Sequence, residues 1–220
     1  MFTGIVQTVG TLKALKKRGN GYEILMQAPS LFAQKGNVAL GDSIAHNGVC
    51  LTVTKIMDDC YTAEISAETV KCTCFKQYKV GQKINLELAC TLDTHLGGHI
   101  MQGHVDGVGK VISKKVLDDA YDIWVRVSDD ISRYIATKGS IAVNGVSLTV
   151  NEIKDDTFRL TLIPHTQSSI NFDDFNEGCE VNIEVDVLSR YLERLLLQRE
   201  DNKPKKSGLT MNTLLKNGFI

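Results

Sequence analysis

The sequence predicts an all-β chain made of two similar small barrels or sandwiches in tandem, with short helices and a C-terminal amphipathic helix. Three observations predict it. One heptad occurs twice, as NGVCLTV at 47–53 and NGVSLTV at 144–150. Short β-rich runs separated by Gly, Asn and Asp turns dominate both halves. After Asp186 the apolar pattern changes from alternation to a helical period.

The two heptads belong to a longer repeat. Aligning Asn47 with Asn144 also places Ser43, Ile44 and Ala45 on Ser140, Ile141 and Ala142. It places Asp58 and Asp59 on Asp155 and Asp156, Thr69 on Thr166, Gly81 on Gly178, and Asn85 and Glu87 on Asn182 and Glu184. GIVQTVG at 4–10 matches GHVDGVG at 103–109 once a two-residue loop difference is allowed. A unit of roughly 100 residues has the size of a self-contained domain, which excludes a solenoid of short repeats. The expected organisation is a first barrel over 1–97, a second over 98–187 and a helical tail over 188–220.

In the first half the strand-like runs include SIAHNGVCLTVTKI, CYTAEIS and QKINLELA; in the second they include YDIWVRVS, SIAVNGVSLTVNEI and TFRLTLI. Their spacing of roughly 8–12 residues argues against a βαβ arrangement. APSLFAQKG and SDDISRYIATKG occupy equivalent places and predict short helices. In the tail, Leu188, Tyr191, Leu192, Leu195 and Leu196 follow an i, i+3/i+4 period, so an apolar stripe runs along one helix face. The charged stretch REDNKPKKSG then precedes LTMNTLLKNGF, with Thr210 as N-cap and Gly218 as C-cap. The first copy has no such tail, and packing against other subunits is its expected role.

Lys and Arg total 25 against 26 Asp and Glu, a formal charge of −1 with both signs mixed, which excludes an electrostatic footprint for nucleic acid or an anionic membrane. No apolar run approaches the roughly 20 residues of a membrane span, and MFTGIVQTVG lacks the basic and long apolar segments of a signal peptide. The expectation is a soluble cytoplasmic protein. Six cysteines without a CxxC pair read as free thiols. Cys72 and Cys74 read as same-face neighbours on a strand, and Cys60, Cys72, Cys74, Cys90 and Cys179 as packing residues. His95, His99 and His104 cluster, but their flanking glycines favour a loop or strand over a zinc site, so no metal is expected. His99 reads as structural and His46 as a core or supporting residue. Asp58–Asp59 and Asp155–Asp156 read as turn residues.

In an extended strand Val49, Leu51 and Val53 share one face, while Cys50 and Thr52 share the other. In the second copy Val146, Leu148 and Val150 oppose Ser147 and Thr149. A domain this small needs the aliphatic row inside, so the small polar pairs face outward. The Asn-Gly dipeptide before each row supplies a positive-φ turn. One such hairpin could simply present a polar solvent face; the duplication favours a groove against which a flat ring system lies. Each barrel then offers half a pocket, and the equivalent face of another copy is the most economical second wall.

MFTGIVQ, HNGVCLTV, LGGHIMQGHVDG, NGVSLTV, LIPHT and NIEVDVLSRYLERLL together closely resemble the alpha-type riboflavin synthase family over nearly the whole chain. The resemblance implies two six-stranded Greek-key β-barrels, each binding 6,7-dimethyl-8-ribityllumazine, in a cytoplasmic homotrimer with no cofactor. One lumazine passes a four-carbon unit to another, yielding riboflavin and a ribitylamino-pyrimidinedione. Carried over residue by residue, the N-terminal site uses Phe2, Gly4, Ile5, Val6, Ser43, Cys50, Leu51, Thr52, Glu64, Ile65, Ser66, Ala67, Glu68 and Thr69, with His104, Val105 and Asp106 reaching across. The C-terminal site uses Lys138, Ser147, Leu148, Thr149, Ile163, Pro164, His165, Thr166, Gln167, Ser168 and Asp186. His104, Ser147, Asp186, Cys50 and Ser43 are the expected catalytic residues. The alternative within the same superfamily is a non-catalytic lumazine- or flavin-binding antenna protein. Whether lumazine synthase encloses the assembly stays open.

Overall fold

The computed structural model describes residues 1–33, 37–201 and 211–218. Six strands form the first closed antiparallel barrel: β1 (Thr8–Arg18), β2 (Gly21–Gln27), β3 (Ser43–His46), β4 (Val49–Met57), β5 (Cys60–Ile65) and β6 (Lys83–Leu88). Six more form the second: β7 (Gly107–Leu117), β8 (Ala120–Arg126), β9 (Ser140–Val143), β10 (Val146–Lys154), β11 (Thr157–Leu162) and β12 (Glu180–Val185). Around the first barrel the order is β1-β2-β5-β4-β3-β6, and the second repeats it with the equivalent strands. Short helices α1 (Ala67–Cys72), α2 (Asp129–Ser132) and α3 (Pro164–Ser169) connect strands.

Both copies carry the same devices for closure. The register shifts between Leu12 and Ala14 in β1 and between Val53 and Lys55 in β4. The equivalent shifts fall between Val111 and Ser113 and between Val150 and Glu152. An extra residue in a strand bends it and increases its twist, which a six-stranded sheet needs in order to close. The interiors are apolar. Leu12, Ile24, Tyr61, Phe75 and Ile84 fill the first barrel, and Ile123, Phe158, Leu160, Phe175 and Val181 fill the second. Each such side chain removed from water contributes about 1.5–3 kcal/mol.

The barrels meet at the duplicated Asn-Gly turns. Asn47 and Gly48 have φ of 45° and 82°, and Asn144 and Gly145 have 46° and 77°, so both hairpins use the turn whose two central residues lie in the left-handed region. The turns abut across a pseudo-twofold relation. Asn85 Nδ2 donates to the Asn144 carbonyl at 3.0 Å, and Asn182 Nδ2 donates to the Asn47 carbonyl at 2.9 Å. Asn47 Oδ1 accepts from the Asn85 N–H, and Asn144 Oδ1 accepts from the Asn182 N–H. Four buried asparagine side chains thereby satisfy backbone groups at the junction of the two turns, which explains why Asn85 and Asn182 recur in the repeat. Tyr78 and Asp174 break the symmetry: the Asn47 amide donates to both, and the Asn144 amide to Asp174.

Two further repeated residues hold the chain segments that precede β1 and β7. Glu87 accepts from the Thr3 N–H and hydroxyl and from the Gly4 N–H, while Glu184 accepts from the N–H groups of Gln102 and Gly103. Burial raises both carboxyls, Glu184 to about 7, even though the peptide N–H groups pull the other way. Burial likewise lifts Asp174 to about 6. A carboxyl raised in the folded state favours folding below its unfolded value, and that contribution is lost as pH rises through the folded value. The thermal midpoint is therefore expected to fall between about pH 5 and about pH 8, with Glu184→Gln flattening the decline. An unchanged slope in that variant would show that no charge is being buried at this position.

The tail forms a separate unit from Leu188. Helix α4 (Val187–Asp201) exposes Leu188, Tyr191, Leu192, Leu195 and Leu196, the residues of the expected stripe. Helix α5 covers Met211–Lys216, and Gly218 follows it at φ 75°. The N-cap expected at Thr210 and most of the preceding charged stretch lie outside the described residues. Among the described residues, no helix is long and apolar enough to cross a membrane.

Candidate functional site

The alternation in the heptads has the expected sense. Val49, Leu51 and Val53 are buried, whereas Cys50 is half-buried and Thr52 exposed. In β10 Val146 and Val150 are buried, Ser147 is half-buried and Thr149 exposed; Leu148 is only partly covered by the core. Ser43 pairs with Thr52 and Ala45 with Cys50, so Ser43 and Cys50 share the outer face. Ser140 with Thr149 and Ala142 with Ser147 repeat that arrangement.

Each outward row is covered by a segment entering the other barrel. The Cys50 N–H donates to the Gly103 carbonyl at 2.9 Å, and the Ser147 N–H donates to the Gly4 carbonyl at 2.9 Å. The residues preceding β7 thus lie over the first barrel, where Val105 packs on its core. Those preceding β1 lie over the second, where Val6 packs. This exchange corrects the expected grouping: Gly4 and Val6, with Ile5 between them in the chain, belong with Ser147, not with Cys50. A Cβ on Gly4 would come within 2.5 Å of the Ser147 Cβ. Phe2 is buried between the barrels with Met101, and its ring edge faces Gly103 beside Cys50. The exchange escapes sequence reading because peptide N–H groups carry no side-chain pattern. The repeated Glu87 and Glu184 were the available signal.

On the first barrel Val49, Cys50, Glu68, Thr69, Cys72, Thr73, Gly103, His104 and Val105 line a cavity of 210 Å³. Helix α1 (Ala67–Cys72) supplies one wall, its first turn capped by Ser66 Oγ, which accepts from the Thr69 N–H at 3.0 Å. Cys72 therefore ends a helix and lines the cavity instead of occupying a strand, and its Sγ donates to Glu68 Oε1. Cys74 opens the following 3₁₀ turn and is buried. Leu51 and Ile65 point into the barrel, so only their backbone is left for a ligand. Glu64 is ion-paired with Arg18 on the surface. Asp106 Oδ2 accepts from the Val185 N–H at 2.7 Å, which anchors the segment carrying His104. All six cysteines are free thiols.

On the second barrel the Gly4 segment covers Ser147, Thr149 lies on the same outer face of β10, and helix α3 (Pro164–Ser169) follows β11 as α1 follows β5 in the first. Ile163 is exposed at the start of α3, and the Gln167 amide donates to the Leu162 carbonyl. Ser168 Oγ is turned back onto the His165 carbonyl. Lys138 takes a positive φ of 67° and donates its N–H to the Val150 carbonyl, on the strand that carries Ser147. Sequence reasoning missed one member. His99 Nδ1 lies 2.7 Å from Ser147 Oγ, and the charge of Asp186 is felt at its ring. His46, by contrast, is a core residue: Nδ1 meets the Ile44 carbonyl, Nε2 meets the Tyr61 hydroxyl, and burial pushes its pKa down to about 4. Among the described residues no group of His, Cys, Asp and Glu is arranged to hold a metal.

Comparison with known proteins decides the family. The lumazine binding domain matches residues 3–89 and again 102–186. Over 220 residues the chain is 46% identical to the riboflavin synthase of Photobacterium phosphoreum, covering all of both chains. It is 36% identical over 219 residues to that of Bacillus subtilis strain 168, again end to end. The chain belongs to the riboflavin synthase family. Among solved structures, LumP complexed with riboflavin superposes with a TM-score of 0.77 at 28% identity, and LumP complexed with 6,7-dimethyl-8-(1'-D-ribityl) lumazine with 0.75 at 27%. Those alignments span 99% of LumP but 84% of this chain, whereas the Photobacterium phosphoreum and Bacillus subtilis riboflavin synthases match it throughout.

Proposed function

We propose that this member of the riboflavin synthase family catalyses the dismutation of two molecules of 6,7-dimethyl-8-ribityllumazine, one transferring a four-carbon unit to the other. The products are riboflavin and 5-amino-6-ribitylamino-pyrimidinedione. Donor and acceptor start as the same compound, so atoms and electrons balance with no oxidant, reductant or resident cofactor. The observation that carries the reading is the pair of equivalent outward rows, one at Cys50 and the other at Ser147, each flanked by an exchanged segment, with a cavity beside Cys50.

The chemistry needs two flat heterocycles held face to face. Orientation alone can supply much of the rate, because a bimolecular encounter becomes an intramolecular one. The cavity beside Cys50, at 210 Å³, is smaller than the roughly 300–1,000 Å³ usual for a closed ligand site, which fits half of a shared pocket. We assign its second wall to the Ser147 face of a neighbouring chain in a homotrimer, with the exposed apolar stripe of α4 as the assembly surface. His104 is assigned to proton transfer at the acidic 7-methyl carbon, imidazole being the side chain suited to move a proton near neutral pH. Ser147 and Asp186 act on the lumazine held by the second barrel, and Cys50 and Ser43 on the other. The free thiols fit the reducing cytoplasm.

The test is to incubate the purified chain with the dimethylribityllumazine and follow absorbance. The expected result is two lumazines consumed for each riboflavin formed. Tight stoichiometric binding without turnover would instead support the antenna reading that the LumP likeness raises.

A further inference from the structure

We propose that Glu87 and Glu184 are positioning residues acting across the junction, each holding the segment that completes the half-site on the other barrel. Glu184, on the second barrel, serves the Cys50 site; Glu87, on the first, serves the Ser147 site. The inference rests on the riboflavin synthase reading above and on its pairing of half-sites from two chains.

The two carboxylates occupy matching places in the sheets. Ala45 pairs with both Cys50 and Glu87, so Cys50, Ala45 and Glu87 form one row across the outer face of the first barrel. Ser147, Ala142 and Glu184 form the same row on the second. The two alanines are buried in one cluster with Phe2 and Met101, so the incoming chain covers the middle of each row.

Each incoming segment is strung between the barrels. The Gln102 and Gly103 N–H groups donate to Glu184 at 2.6 and 3.0 Å on the segment's own barrel, while the Gly103 carbonyl accepts from the Cys50 N–H at 2.9 Å on the other. The Thr3 and Gly4 N–H groups donate to Glu87 at 2.6 and 3.0 Å, and the Gly4 carbonyl accepts from the Ser147 N–H at 2.9 Å. The His104 N–H also draws on the Glu184 carboxylate, which therefore holds the peptide units that aim His104. A Cβ on Gly103 would lie 2.5 Å from the Cys50 Cβ, so the segment presses on its target without slack.

Both glutamates are only 4% exposed. Burying a carboxyl is costly, and a position needed only to fill the sheet would be apolar. A carboxylate supplies two acceptor oxygens to two adjacent N–H groups, which an amide cannot. In Glu184→Gln one oxygen becomes an NH2 facing an N–H donor, so the hold weakens while side-chain volume is kept.

The assignment runs against chain position, because Glu184 lies on the strand that leads to Asp186 yet is placed here with His104. Glu184→Gln is expected to lower kcat about tenfold to hundredfold, the scale of a displaced reacting group. Refolded with Ser147→Ala, whose Cys50 half-site is intact, it should regain a substantial fraction of activity; refolded with His104→Gln it should not. Glu87→Gln should show the reverse. Wild-type turnover, and recovery in a mixture of His104→Gln with Ser147→Ala, are measured first, since failure there defeats the functional reading. Amide exchange then tests the inference without turnover. Glu184→Gln should speed exchange at Gly103 and Cys50 and leave Ser147 protected, and Glu87→Gln should speed it at Gly4 and Ser147 and leave Cys50 protected. Wild-type kcat in either folded variant, or exchange quickened equally at Cys50 and Ser147, would overturn the proposal. So would recovery with the wrong partner or with neither, the last showing that one lost carboxylate frees both segments, which Phe2 and Met101 bridge. If one variant fails to fold, the other decides.

Discussion

Replacing Ser147 with Ala is expected to lower turnover about 10²–10⁴-fold, the range over which a positioned proton-transferring group acts, and His104→Gln is expected to do the same. The more telling result comes from combining them. Refolding the two inactive chains together should restore a substantial fraction of activity. In a mixed assembly, the intact His104 groove of the Ser147→Ala chain can face the intact Ser147 site of the His104→Gln chain. The outward rows of β4 and β10 belong to different barrels, and the cavity beside Cys50 is open on one side, so the reaction is expected to join two chains. If the mixture stays as inactive as its components, both half-sites must act within one chain and the intersubunit reading fails. If each variant alone keeps full turnover, the assignment of these two residues fails as well.

The parts of this architecture that are local were legible in the sequence. A period of two in VCLTV and VSLTV, preceded by Asn-Gly, is enough to place Val49 inward, Cys50 outward and a left-handed turn between the strands. The helical period after Asp186 was legible for the same reason. What was not legible depends on backbone groups meeting across long separations. Gly4 covers Ser147, and Gly103 covers Cys50, through their peptide carbonyls, while Glu87 and Glu184 accept from the N–H groups of the same two glycines. No residue pattern near Gly4 announces that it serves the second barrel, and its place in the chain groups it with the first. His99 failed for a different reason. It sits in a glycine-flanked connector, where one histidine reads equally well as structural, and only its distance to Ser147 separates the cases. Cys72 read as a strand residue because alternation over three residues, Cys72 to Cys74, cannot distinguish a strand from the end of α1.

The largest effect on stability is expected at the paired glycines. A Cβ on Gly145 would stand 2.6 Å from the Gly48 amide nitrogen, and one on Gly48 would stand 2.8 Å from that of Gly145. Neither neighbour can swing away, since both are backbone, so Gly145→Ala must push the two turns apart. Separation loosens the bonds from the Asn85 and Asn182 amides to the opposite turn carbonyls, leaving buried polar groups unmet at about 1–3 kcal/mol each. The positive φ adds about 1 kcal/mol more. A total near 4 kcal/mol corresponds to a midpoint lowered by about 10 °C for a chain of this size. Gly19→Ala and Gly81→Ala supply the control, because both positions have positive φ and no atom within 4 Å of an added Cβ. Only the conformational cost applies there. Equal shifts at all these sites would show that the turns do not bear on each other, whereas a large shift confined to Gly48 and Gly145 would identify the junction as the element coupling the barrels. The same turns lead directly into the strands carrying Cys50 and Ser147, so opening the junction should reduce turnover beyond what the unfolded fraction accounts for.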